Sequence, residues 1–75
     1  MARVGARLRN QLPRLVGRRG WSDGELAART GLAREHVNRL KNGRLRPTLR
    51  DGLLLSEALG LSVGEIFELV RDRKP

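Results

Sequence analysis

Residues 22–43, SDGELAARTGLAREHVNRLKNG, leave the chain little freedom of fold class. They encode two short helices around a tight turn. Ser22 followed three residues later by Glu25 is the pattern of a capping box, in which hydroxyl and carboxylate each satisfy an orphan backbone N–H at a helix start. Gly31 follows Leu26-Ala27-Ala28-Arg29-Thr30 and can turn with positive φ without a Cβ clash. The second helix, Arg34 to Asn42, carries apolar groups on one side and Arg, Asn and Glu on the other. Helices this short do not persist alone in water, so the pair has to sit inside a larger helical assembly.

The rest of the chain supplies that assembly. With 75 residues there is room for one small domain. Period-two alternation is missing and β-branched residues are few, so no strand is expected. Asn10 is placed as the cap of helix 1, about Gln11 to Arg19, with Pro13 in the first turn where a missing N–H costs little. Helix 2 covers about Asp23 to Thr30. Thr48 caps helix 4, which ends near Leu59 before Gly60. Ser62 and Glu65 form a second capping box for helix 5, running through about Val70. The reading is all-α: a compact five-helix bundle over residues 10–70, a basic arm over 1–9, and a fraying tail over 71–75. Leu12, Leu15, Leu26, Ala27, Val37, Leu40, Leu49, Leu55, Leu59, Leu61, Ile66 and Phe67 are the expected core, with Trp21 stapled against helix 2.

Charge is lopsided. The net charge is +8, but up to Arg50 thirteen cations meet only Asp23, Glu25 and Glu35, giving +10. From Asp51 onward three cations meet five carboxylates, giving −2. A cationic surface on the part that holds the two-helix motif suits a polyanion. There is no cysteine, so no disulfide framework and no thiolate metal site. No apolar run approaches the ~20 residues that span a bilayer, and the basic N-terminus lacks the apolar segment of a secretory signal. A cytoplasmic protein is expected, nucleoid-associated if its partner is DNA.

With Val37, Ala33 and Leu40 placed inward, helical geometry turns Arg34, Glu35, Asn38, Arg39 and Asn42 outward. Arg pairs bidentately with guanine, Asn with adenine, and Glu accepts from cytosine N4. The same composition suits an ordinary solvated helix face. His36 falls near the core boundary, where packing is a better reading than metal ligation.

Arg19-Gly20-Trp21-Ser22, Glu25-Leu26-Ala27, Thr30-Gly31-Leu32, Val37 with Leu40 and Gly43, Pro47-Thr48 and Ala58-Leu59-Gly60-Leu61-Ser62 together resemble the Cro/phage-repressor helix-turn-helix family, also described as xenobiotic-response-element-type regulators. The resemblance covers about residues 10–70. It implies a lambda-repressor-like bundle that binds operator DNA, usually as a homodimer, with helix 3 in the major groove. It implies Arg34, Glu35 and Arg39 as base readers with Asn38 beside them. Phosphate contacts are implied for the start of helix 2, with Ser22, and for the loop after helix 3, with Asn42, Arg44 and Arg46. Four residues depart from the pattern. Asp23 stands where a Gln often meets phosphate, Ala33 replaces a capping Ser or Thr, and Gly52 replaces a core Leu. Lys41 replaces a common Glu, which adds a phosphate contact. Leu54 points away from the helix 4 core side; with Phe67, Leu69 and Val70 it forms a candidate dimer or partner surface.

The leading reading is a sequence-specific transcriptional regulator, a repressor, whose partner is double-stranded DNA. The alternative is an adaptor or antitoxin-like protein on the same fold, acting through a protein partner at Leu54 and helix 5. Nucleic-acid coating is disfavoured because the single Trp and single Phe are both placed in the core. A membrane-surface role is disfavoured because the cations are spread over several helices. With one His, no Cys, no glycine-rich phosphate loop and no carboxylate pair, an enzyme is not expected, nor a cofactor, a metal or a small-molecule ligand.

Overall fold

The computed structural model describes residues 6–71. In chain order these form β1 (Ala6–Asn10), α1 (Leu12–Arg19), α2 (Asp23–Thr30), α3 (Arg34–Lys41), α4 (Leu49–Leu59), α5 (Val63–Ile66) and β2 (Phe67–Arg71). The arm residues 1–5 and the tail residues 72–75 lie outside this range.

The expected helices form where their caps dictate. Ser22 Oγ accepts from the Glu25 N–H at 3.1 Å and so starts α2. The box is only half closed, because Glu25 turns its carboxylate to Arg29 Nε, 2.8 Å away. At Ser62 and Glu65 both halves are made. Thr48 also gains a complete box, since Asp51 returns a carboxylate to its N–H. Helix 1 begins one residue later than expected, after Gln11, and Asn10 acts from just outside it: its Oδ1 accepts from the Leu12 N–H at 2.9 Å. Gly31 ends α2 at φ 81°, in the left-handed region that a side chain resists.

The all-α expectation requires correction. β1 and β2 pair antiparallel, with Leu8 opposite Leu69 and Arg9 opposite Glu68. Helix 5 accordingly stops at Ile66, four residues short of Val70, and residues 6–9 of the arm are strand. The strands are five residues each and lie at the two ends of the described chain, so no local turn signal announces them. Their pairing is cross-strand: the two leucines share one face of the sheet, and Arg9 meets Glu68 at 3.3 Å on the other.

Leu12, Leu26, Val37, Leu40, Leu55 and Ile66 form the fully buried centre, with Leu15, Val16, Leu59 and Phe67 around it. Leu49 does not join it. It is 77% exposed, because the first residue of α4 lies past the edge of the helical packing. Trp21 is half-buried against the core, with the guanidinium of Arg29 4.2 Å and that of Arg19 5.5 Å from its ring. Arg19 also donates to the carbonyls of Leu15 and Leu59. It therefore fastens α1 to the end of α4.

Candidate nucleic-acid interface

α3 is short, and its position is fixed by what holds its ends. At its start no side chain caps it, since Ala33 occupies the cap position. That omission costs on the order of 1 kcal/mol. His36 compensates by tying the first half of the helix to α4: its Nε2 lies 2.9 Å from the Asp51 carboxylate. Burial pushes the Asp51 carboxyl upward, but the N–H of Thr48, the His36 ring and the Thr48 hydroxyl outweigh it and hold the group below the usual carboxylate range. At the far end Asn10 Nδ2 donates to the Leu40 carbonyl at 2.7 Å, satisfying one of the orphan acceptors of the last turn. Val37 and Leu40 are buried beneath.

That scaffold leaves Arg34, Glu35 and Arg39 exposed on one side of α3. Arg39 and Glu35 pair at 3.1 Å with both side chains more than half in solvent. Such a pair contributes little to stability. Its effect is to hold two hydrogen-bonding groups, one donor and one acceptor, side by side on the helix surface.

Asn38 is placed differently from the expectation of an outward-facing group, and Lys41 lies beside it. Both are half-buried and turn toward the start of α2. Asp23 receives Asn38 Nδ2 at 2.8 Å and Lys41 Nζ at 2.5 Å. Asn38 Oδ1 in turn accepts from Asn42 Nδ2 at 3.2 Å. The amide of Asn38 is thus engaged at both ends. Hydrogen bonds from Lys41 and Asn38, then the charge of Lys41, keep the Asp23 carboxyl below its ordinary value against the opposing effect of burial. The sequence shows Asp23 as an anion in a cationic region; its role as a clamp between α2 and α3 depends on spatial proximity across 18 residues.

Ser22 is exposed at the α2 start, its Oγ already accepting from Glu25. Asn42, Arg44 and Arg46 are exposed in the loop after α3. The Arg44 N–H caps the Arg39 carbonyl at 2.9 Å, which fixes where the loop leaves the helix. Of the other expected surface, Leu69 is exposed, Leu54 and Val70 are half-buried, and Phe67 is buried. Leu53, one position from Leu54, is exposed, at 56%. The sequence shows Asn10 only as a helix cap and His36 only as a packing residue; the contacts that make them positioning residues for α3, Asn10 with the Leu40 carbonyl and His36 with Asp51, do not show in it. Among the described residues no cluster of three or more His, Asp or Glu is arranged to hold a metal ion, and no helix is long and apolar enough to cross a membrane.

A protein-family model described as helix-turn-helix matches residues 14–66, from α1 to the end of α5. No curated protein matches the chain.

Proposed function

The chain belongs to the Cro/C1-type helix-turn-helix family of DNA-binding regulators, and on that premise we propose that it is a sequence-specific repressor that reads operator DNA in the major groove through α3. The observation that carries this reading is the exposed group Arg34, Glu35 and Arg39 on a helix fastened at both ends by Asn10 and His36. Arg34 and Arg39 supply bidentate donors for guanine and Glu35 an acceptor for cytosine N4. Asn38 stands beside them, oriented by its hydrogen bonds with Asp23 and Asn42, and offers its remaining amide N–H and lone pair to a base. Arg44, Arg46, Asn42 and the Ser22 end of α2 meet phosphates, and Lys41 adds a further contact when freed from Asp23. The N–H groups and dipole of the α2 N-terminus favour an anion there.

Occupying an operator is enough to exclude polymerase from it, so repression is the sign of regulation we assign. As a homodimer the protein would set two copies of α3 about 34 Å apart, in successive major grooves. Its place is then the cytoplasm, on the nucleoid. The exposed leucines near Leu69 favour a second reading, an adaptor or antitoxin-like protein that acts through a protein partner.

Selection of bound duplexes from a random library at near-physiological salt separates the two. Enrichment of a palindromic motif supports the repressor. Enrichment of no motif, with weak salt-labile binding to every duplex, overturns it in favour of the adaptor.

A further inference from the structure

β1 and β2 lie outside residues 14–66, the stretch shared with the helix-turn-helix family, so their role has to come from what they touch. Their ladder runs on to the helices. The Gln11 N–H donates to the Ile66 carbonyl at 2.9 Å, one position beyond the paired strands. Hydrogen-bonded pairs alternate along an antiparallel ladder, so Arg9–Glu68 and Arg7–Val70 are the bonded pairs of the sheet. Asn10, opposite Phe67, is therefore bracketed by bonded pairs on both sides, and Phe67 anchors the partner strand in the core.

The side chain of Asn10 crosses from the sheet to two helices. Its Oδ1 accepts from the Leu12 N–H at 2.9 Å, while Nδ2 donates to the Leu40 carbonyl at 2.7 Å and lies 3.4 Å from that of Lys41. The Leu40 carbonyl also accepts from the Gly43 N–H at 3.2 Å. Asn10 thus meets α3 where the helix turns into the loop that carries Arg44 and Arg46. We propose that the sheet is a clasp on the reading helix: pairing of β1 with β2 fixes Asn10, and Asn10, as a positioning residue, fixes the last turn of α3 and the exit of that loop. A two-stranded ribbon is marginal by itself in water. Here the facing Leu8 and Leu69 are still 47% and 59% exposed, and the Arg9–Glu68 pair is solvated on both sides. The clasp therefore opens at lower cost than the helical core unfolds. The closed form is the one that holds α3 and its loop ready for DNA, so affinity for an operator scales with the closed fraction.

The effect on DNA rests on the reading of bases by α3 proposed above; the clasp itself does not, and amide hydrogen exchange of the free chain tests it directly. Glu68→Pro together with Val70→Pro removes both β2 N–H groups that face β1. Phe67 is already extended, at φ −124° and ψ 129°, as the residue before a proline prefers. Exchange at the Gly43 and Arg44 amides should rise on the order of tenfold while the Leu55 amide in the core stays protected. Asn10→Asp keeps the acceptor for the Leu12 N–H but cannot donate to the Leu40 carbonyl, so it should expose the same two amides with the sheet intact. Adding it to the prolines should raise exchange no further. On duplexes each variant should lower the ratio of operator to scrambled binding about fivefold, the worth of one ordinary hydrogen bond. A sheet that merely stabilises would lower the melting temperature and leave that ratio unchanged. Wild-type exchange at Gly43 and Arg44 in the proline variant, or effects of the variants that add, would overturn the clasp. Should the prolines also expose Leu55, Asn10→Asp alone decides, and wild-type exchange at the two amides overturns the clasp. Raised exchange in a chain that binds every duplex alike would instead sink the repressor and leave the clasp standing.

Discussion

Replacing Asp23 by Asn removes one negative charge from the edge of the proposed DNA surface and loosens two side chains at once. Asp23 holds Lys41 at 2.5 Å and Asn38 at 2.8 Å, with its own side chain 18% and that of Lys41 25% exposed. A hydrogen bond to a charged group contributes ~1.5–3 kcal/mol. Discounted for partial exposure, and because Asn still accepts, the fold should lose about 1–2 kcal/mol. In a domain of this size that lowers the melting temperature by ~5–10 °C. DNA binding should move the other way. Lys41 becomes available to a phosphate, and a repelling carboxylate is gone. Each added phosphate contact steepens the slope of log K against log salt by ~0.9, so a scrambled duplex should bind on the order of eightfold tighter at 0.1 M salt relative to 1 M. The operator gains less, because Asn38 loses its fixed orientation, and the ratio of specific to random binding falls. Fluorescence anisotropy with an operator and a scrambled duplex across a salt series reads both quantities. A slope that stays the same or flattens in Asp23→Asn would refute the idea that this carboxylate restrains phosphate contact.

Three further outcomes follow from the same contacts. Asn10→Ala removes both the Leu12 cap and the donor to the Leu40 carbonyl, and should cost ~1–2 kcal/mol in thermal denaturation. Leu55→Ala opens the centre of the core, where Leu55 is fully buried. A loss of ~2–5 kcal/mol is expected, close to the whole stability of so small a domain, and circular dichroism should show a largely unfolded chain at 37 °C. Stability should be level near neutral pH and fall in acid. Asp23 and Asp51 both have carboxyls held below their unfolded value of 3.8. As pH drops below that value the unfolded chain binds the extra protons, so the contribution of both groups is lost as pH passes through their folded-state values. Urea titrations between pH 3 and pH 7 should show this fall, and Asp51→Asn should shrink it.

The helices were legible because their signals are local. Ser22, Thr48 and Ser62 sit one residue before the helices they start, and Gly31 and Gly60 end them. Val37 and Leu40 set the orientation of α3, and both are buried as their spacing requires. The sheet was not legible, because its strands lie at opposite ends of the chain and one of them, Ala6–Asn10, carries two arginines. Leu49 was misplaced because periodicity counts a leucine as inward without showing where the neighbouring element ends. At the candidate site the outward arginines were readable from helical geometry. The clamp of Asp23 on Asn38 and Lys41 was not, since it joins the start of one helix to the end of another and leaves no mark in the spacing of either.

The reading of bases by α3 is tested most directly by comparing Arg39→Ala with Arg44→Ala on an operator and on its scrambled counterpart. The loss of a base reader should weaken operator binding by ~1–3 kcal/mol, leave the scrambled duplex nearly unchanged and relax sequence choice, while Arg44→Ala should weaken both duplexes alike. If Arg39→Ala lowers affinity for the two duplexes equally, the helix attracts DNA without reading it.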